Sequence, residues 1–200
     1  MARLPEIKER VRALTARLGD PPGFAMGAVS LILRDRKAVE VLLIERATRE
    51  EDPWSGQLAF PGGGRHPEDR NLLETATRET QEEVHVDLSR DARLLGRLPP
   101  RAPGNRPEWL VVPFVFALTR PVTPTAGAEA ARAFWMRLDA LPRGLCTATI
   151  HLPGRELEMP AFDVGGKPLW GFTFRVLCDL FDLVGWPTTD KSRPPAANLK

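Results

Sequence analysis

FPGGGRHPEDRNLLETATRETQEEV, residues 60–84, is the stretch from which the rest of the chain is read. A short apolar strand, Leu58-Ala59-Phe60, runs into a Pro61-Gly62-Gly63-Gly64 turn. A polar loop follows, and then a helix from Asn71 to Val84. Asn71 stands at the N-cap with Glu74 three residues on, a capping-box pattern in which Asn replaces Ser or Thr. Leu72, Leu73, Ala76, Thr80 and Val84 form a stripe, interrupted by RETQEE at residues 78–83. Helical periodicity predicts Glu79, Glu82 and Glu83 on one face, where three carboxylates repel one another. A divalent cation among them removes that cost, and Mg²⁺ or Mn²⁺, which take hard oxygen ligands, is the expected cofactor. The glycines let the backbone come close and turn a carbonyl toward a metal. Arg78 is placed to orient a glutamate through a bidentate pair. Alone, such a string is most often a solvated charged face; its position after a strand, a glycine turn and a loop gives it weight.

Outward from this core, Pro5 followed by EIKERVRALTARL predicts a first helix, with Ile7, Val11, Leu14 and Leu18 at helical spacing and Gly19 at the C-cap. Strands are expected at Ala25–Leu33 and Val39–Ile44, joined at Arg34-Asp35-Arg36-Lys37 as a hairpin. Residues 46–57 form a loop broken by Pro53 and Gly56. Further strands fall near Ala92–Leu98, Leu110–Thr119 and Ala133–Leu138. Thr147–Leu152 and Glu156–Phe162 are expected to pair around Pro153-Gly154. Phe172, Val176, Leu180 and Leu183 mark a last amphipathic helix ending at Gly185. The pattern predicts an α/β sandwich with a mixed sheet. Residues 1–22 form an N-terminal helix and linker, residues 23–186 one domain, and residues 187–200 a polar, Pro-rich, disordered tail.

The 200 residues carry a formal net charge of +2, too little for a nucleic-acid scaffold. No run of 18 apolar residues exists, so no membrane helix is expected, and the charged N-terminus does not read as a signal peptide. Cys146 and Cys178 have neither metal-ligand spacing nor the number for a disulfide framework, and a reducing cytoplasm is the expected location.

Phe60-Pro61-Gly62-Gly63 and then Arg78-Glu79-Thr80-Gln81-Glu82-Glu83-Val84 resemble the Nudix box, G-x5-E-x7-R-E-U-x-E-E-x-G-U. The resemblance implies a Nudix-like α/β/α sandwich. It also implies a metal-dependent hydrolase that cleaves the diphosphate of a nucleoside diphosphate linked to X. Glu79 and Glu83 would bind metal, Glu82 would bind or support a further ion, Gly62 would offer its carbonyl, and Arg78 would orient the glutamates. The general base would be a helix glutamate or a glutamate on a later loop, for which Glu129 is the candidate. Three positions depart from the pattern. Asp69 stands at the early acidic position with eight residues before Arg78. Thr80 replaces an aliphatic, a mild expected loss of packing. His85 replaces the glycine that ends the helix, where left-handed geometry is needed.

Leu42-Leu43-Ile44-Glu45-Arg46-Ala47, with Gly56-Gln57 and the following Phe60-Pro61-Gly62-Gly63, resembles the motif preceding the box in coenzyme A diphosphatases, with Glu51 near where a second arginine belongs. Arg46, Arg49 and Gly63 are the expected phosphate and substrate contacts, and Trp54 the expected stacking residue. Trp109, Trp135 and Trp170 read as caps on the edge of the core. His66 reads as a solvated loop residue, and His151 as a structural strand residue. The competing readings are a Nudix hydrolase of a nucleotide sugar or dinucleotide, a catalytically silent nucleotide-binding module, and a scaffold using the N-terminal helix. That helix also offers a face for a homodimer.

Overall fold

In a computed structural model the described residues are 3–48, 54–104, 106–152 and 155–186. Arg49, the Pro153-Gly154 turn and the tail at 187–200 lie outside them. Ten strands and four helices follow one another in the order α1 (Leu4–Leu18), β1 (Gly27–Asp35), β2 (Val39–Arg46), β3 (Leu58–Ala59), β4 (Gly62–Gly64), α2 (Leu72–Val84), α3 (Leu88–Asp91), β5 (Ala92–Arg97), β6 (Val111–Leu118), β7 (Ala130–Arg137), a 3₁₀ segment (Leu138–Gly144), β8 (Leu145–Leu152), β9 (Arg155–Val164), β10 (Lys167–Trp170) and α4 (Gly171–Leu183).

β1 and β2 are buried on both faces, which explains their nearly unbroken apolar runs. Successive side chains alternate across the sheet. Leu31, Leu33, Val41 and Leu43 join α1 and α4 in one core. Ala28, Ile32, Leu42 and Ile44 join α2 in the other. The result is the α/β/α sandwich. The sheet is mixed, because β1 runs parallel to β6 and antiparallel to its other partners.

One irregularity in this sheet positions everything that follows. β1 and β2 pair only near their hairpin, from Leu33↔Val41 to Asp35↔Val39. Beyond it they part, and the segment carrying β3 and β4 occupies the fork. β3 pairs with β2 through Ile44↔Ala59, and β4 pairs with β1 through Val29↔Gly62, Ala28↔Gly63 and Gly27↔Gly64. The expected glycine turn is therefore a strand. Three glycines give no side-chain pattern from which a strand is read, and backbone pairing alone makes this one.

The structure adds α3, the 3₁₀ segment and β10 to the expected elements. α3 is capped by the Asp87 carboxylate, which accepts from Ser89 N and Arg90 N. β8, β9 and β10 form a separate three-stranded sheet, where the sequence suggested only a hairpin. His151 faces Glu156 across it, Nδ1 to Oε1 at 2.9 Å.

The apolar face of α1 is spent within the chain, since Ile7 and Val11 are fully buried. Gly96, at φ +150°, passes so close to Thr15 that a Cβ would collide with its hydroxyl. Arg97 N donates to Thr15 Oγ1 at 2.8 Å. Arg97 Nη2 donates to the carbonyls of Leu18, Gly19 and Asp20 at 2.9, 2.7 and 3.1 Å. These carbonyls lie at and just past the C-terminal end of α1, where no intrahelical donor is available. Removing a buried charged donor strands its acceptors. Arg97→Ala is expected to lower stability by about 2 kcal/mol, roughly 5 °C in Tm for a chain of this size. Thermal unfolding followed by circular dichroism checks this, and an unchanged Tm would show that α1 is held by its apolar face alone.

Candidate active site

The fork sets a bare backbone against the acidic helix. Gly62 N donates to Glu83 Oε2 at 2.9 Å. A Cβ on Gly63 would lie 2.6 Å from the carboxyl carbon of Glu79. Gly62 itself, at φ +150°, has no room for a Cβ against Ala28 and Val29. Two glycines thus form a floor on which two carboxylates rest: backbone blocks any side chain at Gly62, and one at Gly63 would push the Glu79 carboxylate aside.

Arg78 ties the helix to the loop before it. Its Nε and Nη2 donate to the two oxygens of Asp69 at 3.1 and 3.0 Å. Nη2 also reaches Gly64 O at 3.0 Å. Nη1 donates to Glu79 Oε1 and Glu82 Oε2, each at 3.0 Å. The bidentate partner is therefore Asp69, and the glutamates receive single bonds. Asp69 also accepts from His66 N and Thr75 Oγ1, both at 2.9 Å. The Arg78 guanidinium, with these donors, holds the Asp69 carboxyl well below the usual carboxylate range. The early acidic position acts here as the anchor of Arg78, and the shorter Asp side chain fits the loop of eight residues that separates them.

Glu83 is 2% exposed and buried beside Glu79 and Glu129. Burial is the main cause that pushes its carboxyl up to about 7, and the charges of Glu79 and Glu129 add to it. The Gly62 hydrogen bond and the charge of Arg46 act the other way. Glu79 is raised too, chiefly by burial and further by Glu82 and Glu129, against Arg78. Carboxylates with raised proton affinity, crowded on a glycine floor, suit a hard divalent cation. Such an ion takes one or two carboxylates, with water and substrate oxygens completing its shell. Among the described residues no group of three or more His, Cys, Asp and Glu side chains is arranged to hold a metal ion.

Glu82 stands at the solvent edge of this group: its side chain is 56% exposed and shares Arg78 Nη1 with Glu79. Glu129 is exposed, and its charge adds to the raised carboxyls of Glu79 and Glu83. What holds its segment against α2 was not read from the sequence. Thr125 N and Gly127 N donate to the terminal carbonyls of α2, Val84 O at 3.1 Å and Glu83 O at 2.8 Å. A Cβ on Gly127 would collide with Glu82 O. A glycine two residues before Glu129 was the available signal. His85 ends α2 in left-handed geometry at φ 54°, ψ 36°, with Nδ1 3.0 Å from Thr125 O.

Thr80 costs no packing, contrary to expectation. It is fully buried, with Oγ1 2.7 Å from Ala76 O and 2.9 Å from Ser30 Oγ. Two hydroxyls share that carbonyl across the helix–sheet interface. Trp54 lies in a turn closed on Arg46, with Gly56 N donating to Arg46 O at 3.2 Å. Trp109 packs over Gly27 and Gly64, under Arg106. Trp135 carries Arg34 on its face at 4.1 Å.

A forked mixed sheet, a glycine strand and a helix bearing paired glutamates locked by an arginine define the class: an α/β/α sandwich with a Nudix-type loop and helix. The description "NUDIX domain" matches residues 24–151, and the chain belongs to the Nudix family. It is 33% identical over 150 residues to the uncharacterized Nudix hydrolase NudL of Photorhabdus laumondii, covering 72% of this chain and 77% of that protein. It is 36% identical over 90 residues to the mitochondrial coenzyme A diphosphatase NUDT8 of Mus musculus, covering 43% and 42%. The chain spans 36% of the length of a Schizosaccharomyces pombe relative that it matches at 38% identity, and 30% of a Pectobacterium atrosepticum NudL. Among solved structures, a MutT/nudix family protein from Enterococcus faecalis aligns over 92% of this chain and 75% of its own, with a TM-score of 0.51 at 19% identity. That likeness is one of fold.

The raised carboxyls have a consequence for stability. Between the ordinary 4.5 and about 7, the folded chain keeps a Glu83 proton that the unfolded chain has lost. Stability of the metal-free protein therefore falls as pH rises through that window, by roughly 2–3 kcal/mol. Glu79 acts in the same direction, and the lowered Asp69 matters only as pH drops below its ordinary 3.8. Urea unfolding in EDTA from pH 5 to 8 should show this decline in the wild type, flattened in Glu83→Gln. Wild-type stability that stays level or rises across the window would contradict the buried pair.

Proposed function

We propose that this chain is a metal-dependent diphosphatase acting on a nucleoside diphosphate linked to X, with coenzyme A or its derivatives as the leading substrate. The observation that carries the reading is the pair Glu79 and Glu83 on the Gly62-Gly63 floor, buried with raised proton affinity. Glu79, Glu83 and the Gly62 carbonyl are the ligands proposed for Mg²⁺ or Mn²⁺, with Glu82 at the solvent edge for a further ion. A bound divalent ion neutralises diphosphate charge and acidifies the attacking water. Arg78, anchored by Asp69, holds the Glu79 carboxylate in place. Arg46, close enough to act on Glu83, faces the substrate diphosphate. Glu129 takes the proton of the attacking water as general base. Gly63 leaves backbone open to a phosphate, and Trp54 offers a face to the base. Arg49 is kept as a phosphate contact from the sequence.

The coenzyme A reading draws support from the Leu42–Ala47 motif and from the likeness to a protein named as a coenzyme A diphosphatase. The proposed partner is a small molecule. No helix among the described residues is long and apolar enough to cross a membrane. Since α1 spends its apolar face on the sheet, any homodimer would use its outer, charged face.

Hydrolysis assayed with excess Mg²⁺ or Mn²⁺ across coenzyme A, acyl-coenzyme A, ADP-ribose, NADH and diadenosine polyphosphates tests the proposal. Release of 3′,5′-ADP from coenzyme A is expected, with a loss of about 10³-fold or more in Glu83→Gln at unchanged fold. Turnover of another substrate would keep the chemistry and discard coenzyme A. An active Glu83→Gln would refute the metal site.

A further inference from the structure

We infer that Trp170, the last residue of β10, builds with Trp54 the wall on which the substrate base stacks, and so sets base specificity; this rests on the nucleotide reading above. The sequence placed Trp170 among caps of the core edge. In the structure its ring lies 6.1 Å from that of Trp54, centroid to centroid, at 46°. Both side chains are only partly buried. The rings are tilted and in contact, so no base enters between them; stacking uses an outer face of the pair.

The backbone ties this wall to the segments that carry the proposed site. Gln57 N donates to Trp54 O at 3.2 Å, and Arg46 N to Gln57 O at 2.9 Å, so the Trp54 turn closes on the residue whose charge acts on Glu83. From the other side, β10 packs on β3, which leads within two residues into Gly62. The neighbouring charge suits the same ligand. Glu45, adjacent to Arg46, accepts from both Arg132 and Lys167, the latter at the start of β10. Two half-exposed cations to one carboxylate leave this rim positive. An aromatic wall beside a positive rim matches a base carrying phosphates, and the greater stacking area of purines favours them.

Base–aromatic stacking predicts the size of the effect, about 5- to 100-fold. The test compares wild type, Trp170→Leu, which keeps bulk without a π face, and Trp170→Phe, which keeps a ring. Steady-state kinetics on coenzyme A are read beside equilibrium binding of 5′-AMP and of 5′-UMP. In Trp170→Leu, KM for coenzyme A and Kd for 5′-AMP should rise together by that factor, with kcat within about threefold and the preference for 5′-AMP over 5′-UMP lost. Trp170→Phe should recover most of both. Unchanged KM and Kd in Trp170→Leu would overturn the inference. So would a fall of kcat on coenzyme A that Trp170→Phe does not relieve, or a wild type that does not bind 5′-AMP. A wild type that binds 5′-AMP through Trp170 yet hydrolyses nothing would keep the wall and refute the diphosphatase.

Discussion

Two glutamates one helical turn apart, pressed against a backbone that carries no side chains, are the constraint on which this structure turns. Like charges at i, i+4 destabilise a helix, and burial raises the cost of each charge. The fold answers with Gly62 N on Glu83 and Arg78 on Glu79. It does not neutralise the pair, since both carboxyls remain raised. A site left in that state favours whatever brings positive charge. The rest of the local architecture keeps it so: the forked sheet admits the glycine strand, and Asp69 holds Arg78 in register.

The same constraint explains why distant segments converge. α2 must end abruptly for Glu83 to sit at its buried last turn, and His85 in left-handed geometry ends it. The carbonyls thereby freed are taken by Thr125 N and Gly127 N, which docks the segment before β7 on the end of α2. On the opposite flank, the second sheet sends β10 against β3.

Much of this was legible in advance where a physical rule tied residue to place. The i, i+4 spacing put Glu79 and Glu83 together, and an apolar run marked β1 as a buried strand. The Asn71 side chain caps Glu74 N as expected, while the Glu74 carboxylate turns to Arg70 instead of closing the box. The fork was not legible, because Gly62-Gly63-Gly64 has no side-chain pattern to show that it pairs. Nor was the Ser30–Thr80 hydroxyl pair, where residues fifty positions apart satisfy one another.

A divalent cation that binds at Glu79 and Glu83 should displace to the buffer the proton that burial holds on Glu83, whose carboxyl is pushed up to about 7. Calorimetric titration of the protein with Mn²⁺ at pH 6.5, in buffers of differing ionisation enthalpy, measures that exchange directly. The account predicts saturable binding with a net release approaching one proton in the wild type, and loss of that release in Glu83→Gln. Absence of saturable heat, or binding with the same proton count in both proteins, would contradict it.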